Sequence, residues 1–175
     1  PELIEIRWHS KVTGFEPADA GRVHFAGDDV SRMRADHRAR TGMVRTFQLT
    51  KALSRMTVLD NMLIGANDQA GENMFVGLFK PLWVKREKEN IARAEELLAR
   101  FKLDAKKDDM AGDLSGGQKK LLEMARALMS NPSMIMLDEP MAGLGHLESQ
   151  QMIEALLAAR GECAMLLVEH DMEAV

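Results

Sequence analysis

Two short apolar runs near the C-terminal end of the sequence constrain the fold more than any other feature. Met134–Leu137 and Ala164–Val168 carry no charged residue, and the segment between them, 147–160, has a helical pattern. Continuous apolar runs of this length are typical of strands buried on both faces of a parallel sheet. A strand, a helix and a second strand over this length predict a parallel βαβ unit. The last third of the sequence is therefore predicted to be α/β, with both runs as buried strands.

The first fifty residues predict a short β segment. Val23 and Phe25 alternate with polar residues between two glycines, which favours a strand. Residues 30–41 are polar and basic, which favours a short helix or turn. Met43–Phe47 is a second candidate strand, and it ends at Gln48.

The pattern becomes helical over residues 50–111. Residues 57–63 predict a short helix, and residues 65–81, which are interrupted by glycines and a proline, predict a loop-rich insertion. Residues 115–131 predict a further helix, which begins at a serine and ends before a proline. A long amphipathic helix is predicted between them by apolar residues at three-to-four spacing: Ile91, Ala94, Leu98 and Phe101.

The composition predicts an ordinary globular chain that does not bind nucleic acid. At 175 residues, with 46% apolar and 29% charged residues, the chain fits one domain or a core with one attached lobe. A net charge of −4 is unlike the basic face of a typical nucleic-acid-binding protein. The single cysteine, Cys163, excludes an internal disulfide, and its place beside an apolar run predicts a buried, reduced thiol.

The sequence has no candidate membrane span. No apolar run approaches the roughly 20 residues that cross a bilayer, and residues 1–10 lack the apolar core of a signal peptide. We therefore expect any membrane role to come through a partner protein.

Two adjacent carboxylates, Asp138 and Glu139, follow the first apolar run and precede Pro140. The carboxyl ends of parallel strands form the ligand crevice of such sheets. An Asp there can hold Mg²⁺, often through water, and a Glu beside it can orient or deprotonate a water that attacks a phosphoryl group. The alternative is that the two acids only cap the turn before Pro140.

A glycine-containing helix start lies upstream of the carboxylates, at Ser115, Gly116, Gly117 and Gln118. A serine can cap the helix, and the glycines allow a ligand to approach the backbone closely. The exposed N–H groups and the helix dipole then favour an anion. The alternative is an ordinary Ser-capped helix after a glycine turn.

Two polar residues at predicted strand ends are further candidates. His170 directly follows Ala164–Val168 and could donate a hydrogen bond to a terminal phosphate, whereas Gln48 could bring its amide to a metal or a water. The alternatives are a surface histidine and a loop glutamine.

The order and spacing of these segments resemble the ATP-binding cassette (ABC) family. The matching segments are Arg45–Gln48 for its Q-loop, Leu114–Gln118 for its signature motif, Met134–Asp138 for its Walker B strand, Glu139 for its catalytic glutamate, Ala142–Leu144 for its D-loop and His170 for its switch histidine. Within the family, residues 12–15, 45–48 and 168–172 and the insertion 65–90 resemble the ATPase subunits of branched-chain amino-acid importers.

The resemblance implies a P-loop NTPase-like parallel sheet core with an inserted helical lobe. It implies a partial N-terminal β and core segment over residues 1–48, the lobe over 49–112, and the signature helix with the α/β core over 113–175. It also implies ATP and Mg²⁺ as cofactors, with Gln48 and Asp138 at the metal. In the family two ATPase subunits sandwich two ATPs head to tail and drive a membrane permease from its cytoplasmic side.

The sequence departs from the family at the phosphate-binding loop. The Walker A glycines are expected just before residues 12–15, yet residues 1–13 contain no glycine, and Gly145-His146 replaces the usual D-loop Asn/Asp-Pro. Three explanations are open: residues of the protein that lie outside this sequence, a truncated protein, and a relative that does not bind ATP. The retained Gln48, Glu139 and His170 favour the first two. Phosphoryl transfer depends on positioning of the phosphates, so we expect the 175-residue sequence alone to be inactive.

Two competing functions follow from the same motifs. A non-catalytic interaction protein would keep the dimer or permease surface without binding ATP. A DNA-repair or chromosome ATPase would share the motifs but needs coiled-coil arms, and the sequence shows no sustained heptads.

Overall fold

The computed structural model describes residues 8–46, 52–66 and 80–168. In chain order, the helices are α1 (Trp8–Val12), α2 (Ala35–Arg40), α3 (Val58–Ile64), α4 (Lys80–Arg100), α5 (Gly116–Met129) and α6 (His146–Ala159). The strands are β1 (His24–Phe25), β2 (Asp28–Asp29), β3 (Met43–Arg45), β4 (Met134–Asp138) and β5 (Ala164–Val168). Two short 3₁₀ turns, Asp104–Lys106 and Ala111–Asp113, connect α4 to α5.

The strands β3, β4 and β5 form a parallel sheet with β4 in the middle. Its register pairs Met43 with Met134 and Asp138 with Val168. The predicted parallel βαβ unit is therefore confirmed, with α6 as its crossover helix. Strand β4 is buried from Ile135 onward, as its continuous apolar run predicts.

The prediction that β5 is buried like β4 is wrong. Ala164 is exposed, and Leu167 is 39% exposed. The physical reason is position: among the described strands, β5 lies at the edge of the sheet and has β4 as its one neighbour. An apolar run predicts that a strand belongs to a sheet, but it does not predict how many neighbouring strands it has.

The helices begin largely where their capping residues predict. The side chain of Thr57 accepts a hydrogen bond from the Asp60 amide at the start of α3, and Ser115 does the same for Gln118 at the start of α5. The predicted loop over residues 65–81 extends too far, because α4 already begins at Lys80. Pro81 is compatible with this start, since a proline in the first turn of a helix removes no intrahelical hydrogen bond.

One apolar core joins the middle of the chain to the parallel sheet. Of the four residues that predicted the buried face of α4, Ala94 and Leu98 are fully buried, as is Phe101 directly after the helix, whereas Ile91 is half-buried. The buried residues pack in a single cluster with apolar side chains from α3, α5, α6 and β4, including Met62, Leu121, Leu128, Ile135, Leu137 and Met152. The site at the end of β4 is therefore supported by the helical part as well as by the sheet.

The N-terminal residues are held by one buried arginine. The strands β1 and β2 form an antiparallel hairpin, and Arg38, which is 3% exposed, lies close to it. The guanidinium donates to the carbonyls of Met33 at 2.9 Å, Ser31 at 3.0 Å and Lys11 at 3.0 Å, and also to that of Val12. Two of these carbonyls belong to the end of α1, where a cation is favoured by the helix dipole.

Within the described residues, no helix is long and apolar enough to cross a membrane.

Candidate functional site

The two predicted carboxylates lie at the carboxyl end of β4. Asp138 is the last residue of the strand and is buried, and Glu139 begins the turn that follows it. The Glu139 amide donates to the carbonyl of Val168 at 2.9 Å, which continues the pairing of β4 with β5 by one residue. Glu139 has a φ of +48°, a left-handed conformation that costs a non-glycine residue roughly 1–3 kcal/mol. Such strain is often found at functional sites.

The carboxylate of Asp138 forms an ion pair with Arg45, the last residue of the neighbouring strand β3. The Arg45 Nη2 atom lies 2.9 Å from Asp138 Oδ2, and Arg45 Nη1 donates to the hydroxyl of Ser10 at 3.0 Å. Because β3 and β4 are parallel neighbours, their carboxyl ends bring these side chains to the same edge of the sheet. The buried carboxylate of Asp138 thus has a cationic partner from an adjacent strand.

A small cavity of about 20 Å³ opens beside the two carboxylates, with room for roughly one water molecule. The residues that line it come from the ends of β3 and β4 and from α5 and α6: Thr46, Lys120, Glu123, Met124, Asp138, Glu139, Pro140 and Met152. The chemistry of this donor set fits Mg²⁺, because hard carboxylate and hydroxyl oxygens face the same space. No cluster of three His, Cys, Asp or Glu that could hold a metal is found in the described ranges. An ion there would rely on water and phosphate oxygens as well, as Mg²⁺ commonly does.

The predicted signature segment forms a capping box at the start of α5. Ser115 Oγ accepts from the Gln118 amide at 3.1 Å, and Gln118 Oε1 accepts from the Ser115 amide at 3.0 Å. A Cβ added at Gly116 would meet no atom within 4 Å, whereas Gly117 is buried against Glu148. The exposed start of α5 is therefore open for an anion to approach at Gly116.

The structure brings some of the predicted residues together and leaves others apart. Asp138 and Glu139 line one cavity, and Ser115–Gln118 do not appear among the described residues that line it. Gln48 and His170 lie outside the described residues. The predicted roles of all these residues remain predictions.

Three side chains at the site received no role from the sequence. Arg45 was predicted as part of the Q-loop but was given no role of its own. An arginine in a strand of a buried sheet needs an acidic partner, and this requirement is the signal that could have pointed to Arg45. Lys120 and Glu123 lie on α5, and Glu123 is buried although it is charged. A glutamate on the otherwise apolar face of a predicted helix is the signal that could have pointed to it.

Cys163 is half-buried and its side chain packs against the core, so the thiol is less buried than predicted. Desolvation, with a smaller contribution from the charge of Glu162, raises the pKa of its thiol. The protonated thiol is therefore favoured, which fits an unreactive side chain.

A parallel sheet with two adjacent carboxylates at the end of its central described strand, together with a capped helix start that contains glycines, is typical of α/β domains with a ligand site at the carboxyl edge of the sheet. The sequence profile of the family described as ABC transporter matches residues 10–142. The chain belongs to this family.

Its relatives include ATP-binding proteins of amino-acid transport. The chain is 42% identical over 168 residues to a probable branched-chain amino acid transport ATP-binding protein, LivG, of Methanocaldococcus jannaschii, covering 94% of this chain and 64% of the relative. It is 40% identical to the LivG protein of Archaeoglobus fulgidus, with 94% and 63% covered, and 34% identical to the BraF protein of Pseudomonas aeruginosa, with 94% and 66% covered. The chain thus spans about two thirds of the length of these relatives.

The fold is similar to solved ATP-binding cassettes. The ADP conformation of an ABC transporter cassette superposes with a TM-score of 0.77 at 38% identity, covering 98% of this chain and 67% of that one. A nucleotide-free cassette superposes with a TM-score of 0.75 at 38% identity, covering 97% and 67%. The predicted α/β fold with a parallel sheet is therefore confirmed.

Proposed function

We propose that the protein is the ATP-binding and ATP-hydrolysing subunit of an ABC importer, with branched-chain amino acids as the transported substrates. The observation that carries the proposal is the pair Asp138 and Glu139, placed at the end of the central strand in a chain of this family. The substrate class is supported by the names of the archaeal relatives, which describe branched-chain amino acid transport.

The two carboxylates have different roles in this proposal. Asp138 offers oxygens to Mg²⁺, which when bound neutralises charge on the nucleotide phosphates. Glu139 orients the attacking water and accepts its proton, as a general base must lie within hydrogen-bond reach of the proton that it removes. Glu139, with its left-handed φ of +48°, is the first residue after β4.

The remaining site residues surround the phosphates. Ser115–Gln118 act through the amide-rich start of α5, which favours an anion held by a second ATPase subunit. Gln48 contacts the metal or the attacking water through its amide, and His170 donates a hydrogen bond to the terminal phosphate. The proposed partners are a second ATPase subunit, identical or related, and a permease that holds the protein at the cytoplasmic face of the membrane.

A non-catalytic ABC-type interaction protein is the second candidate. The observation that favours it is the absence of glycine from residues 1–13, where the family has its phosphate-binding loop. Without such a loop, the charges of Asp138 and Glu139 repel a triphosphate, and single hydrogen bonds worth roughly 0.5–1.5 kcal/mol each cannot offset that repulsion.

The two candidates are separated by titration with MgATP and by steady-state hydrolysis, on protein whose intact mass is known. The 175-residue chain, of mass 19.5 kDa, is expected not to bind MgATP measurably and to remain monomeric. A larger form that includes a phosphate-binding loop is expected to bind MgATP with a dissociation constant below about 10 μM, or roughly 7 kcal/mol, and to hydrolyse it. If the larger form neither binds nor hydrolyses ATP, the importer proposal is wrong and the interaction protein is favoured.

A further inference from the structure

The first turn of α5 lies against the first turn of α6 through a side chain that has no place in the predicted site. Glu148 is the third residue of α6, and its side chain covers Gly117, the second residue of α5. A Cβ built on Gly117 would lie 2.6 Å from Glu148 Cγ and 2.9 Å from Oε1, which is closer than Cβ atoms normally approach. Gly117 therefore leaves the space that the Glu148 side chain fills.

The other oxygen of the same carboxylate lies near the N-cap residue of α6. A Cβ on Gly145, the N-cap of α6, would lie 2.6 Å from Glu148 Oε2. Glu148 occupies the third helical position, from which a glutamate can bend back to the N-cap, and its charge is favourable in the first turn. Glu148 thus contacts the starts of both helices.

A second side chain joins the same two parts of the chain from the α5 side. Lys120 Nζ donates a hydrogen bond to the carbonyl of Ala142, in the turn 141–145 that leads from Glu139 to α6. Lys120 follows Gly117 by three residues, so both contacts lie on one face of α5. The turn itself is closed by the Leu144 amide, which donates to the Met141 carbonyl at 3.1 Å.

We propose that Lys120 and Glu148 are positioning residues that clasp the first turn of α5 to the turn 141–145. The clasp, formed by Gly117, Lys120, Ala142 and Glu148, holds the start of α5 at a constant separation from Glu139. Its consequence for hydrolysis rests on the proposed function, in which the α5 start and Glu139 both act on phosphates. A shift of α5 would then be transmitted to the turn after Glu139.

Hydrogen exchange of the 175-residue chain without nucleotide tests the clasp, because local opening is measured separately from global unfolding. Three amides report on it: Leu144 in the turn, Lys119, which donates to Ser115, and Ser149, which donates to Gly145. Lys120→Met is expected to accelerate exchange at Leu144 by about tenfold, since a hydrogen bond from a charged donor is lost. Lys120→Arg is expected to restore the rate, and core amides of α5 should not change.

The contact of Glu148 with Gly117 is tested by a double-mutant cycle. Gly117→Ala is expected to accelerate Lys119 exchange because its methyl group displaces Glu148, and Glu148→Ala is expected to accelerate Ser149 exchange. In the double variant the effect of Gly117→Ala at Lys119 should be mostly lost, because its clash partner is absent. Lys88→Met and Glu154→Ala, at exposed positions on α4 and α6, are the matched controls.

Two results would overturn the clasp. One is exchange at Leu144 within twofold of the parent in Lys120→Met, and the other is strict additivity of Gly117→Ala and Glu148→Ala. If Lys120→Met unfolds the chain, the Gly117 and Glu148 cycle decides alone. Because no nucleotide is present, these exchange effects do not depend on ATP hydrolysis. If a larger form fails to bind and hydrolyse ATP while the exchange effects are seen, the proposed function is contradicted and the clasp stands.

Discussion

Arg45 Nη2 lies 2.9 Å from Asp138 Oδ2, and the pair joins the last residues of two parallel strands. The Arg45 and Asp138 side chains are 12% and 9% exposed. Removing charges from water costs several kcal/mol per ion, so each member of such a pair depends on the other. The carboxylate predicted to bind a cation is therefore already paired with one supplied by β3.

Replacement of Arg45 by methionine is expected to lower the free energy of unfolding by about 3–5 kcal/mol, because Asp138 would remain as a buried charge without this partner. Urea unfolding monitored by circular dichroism measures the change. Arg40→Met, on an exposed residue of α2, is the control. Adding Asp138→Asn to Arg45→Met should recover much of the loss, and a loss below about 1 kcal/mol in the single variant, the level of a surface pair, would contradict the assignment.

In a form of the protein that binds MgATP, Glu139→Gln is expected to lower turnover by about 10²–10⁴-fold while binding is preserved. The amide keeps the size of the side chain but accepts no proton at neutral pH. Steady-state hydrolysis and MgATP titration measure the two properties. Glu154→Gln, on the exposed side of α6, should match the parent. Turnover of Glu139→Gln within twofold of the parent would remove Glu139 from the mechanism.

Ser115 is expected to act on the ATP held by the partner subunit. In a dimer of one Ser115→Arg subunit and one Glu139→Gln subunit, action in trans places both defects at one composite site and leaves the other site whole. Such mixed dimers should therefore hydrolyse ATP, whereas each variant alone should not. Loss of all hydrolysis in purified mixed dimers would argue for action within one subunit.

Alkylation of Cys163 is expected to be slow at neutral pH and to keep rising above the pKa of a free cysteine. Desolvation and the charge of Glu162 raise the pKa of this thiol, so the folded state favours the protonated form. The associated stability is present below the unfolded pKa and is lost as the pH rises through the folded pKa. Iodoacetamide labelling against pH, followed by mass, measures the profile in folded and urea-unfolded protein. A midpoint in the folded protein at or below the unfolded one would contradict this direction.

The elements with strong local signals were predictable from the sequence. The apolar run before Asp138 predicted β4, and the serine at position 115 predicted the start of α5, because hydrophobic periodicity and helix capping act over a few residues. The parallel pairing of β4 with β5 followed from the length of the helix between them. The first two inferences each use information within one segment, and the third uses three consecutive segments.

The contacts between distant segments were not predictable in the same way. Arg45 and Asp138 are 93 residues apart in the sequence, and the residues around either one do not predict its contact with the other. The half-exposed face of β5 depends on its place at the edge of the described sheet, which its apolar composition does not encode. In the sequence, Glu148 is an ordinary charged residue of a predicted helix, and only the fold shows that its side chain contacts Gly117.

Arg38 illustrates how unevenly the fold constrains its own sequence. The atoms that its guanidinium recognises are main-chain oxygens, which every amino acid supplies alike. Residues 11, 12, 31 and 33 can therefore vary widely without loosening this attachment, although Gly14 cannot, because a Cβ there would lie 2.9 Å from Arg38 Nε. Arg38 itself has no equivalent, since lysine offers a single compact charge instead of a planar fork of donors. Substitutions should accumulate freely in the loops around an arginine that stays fixed.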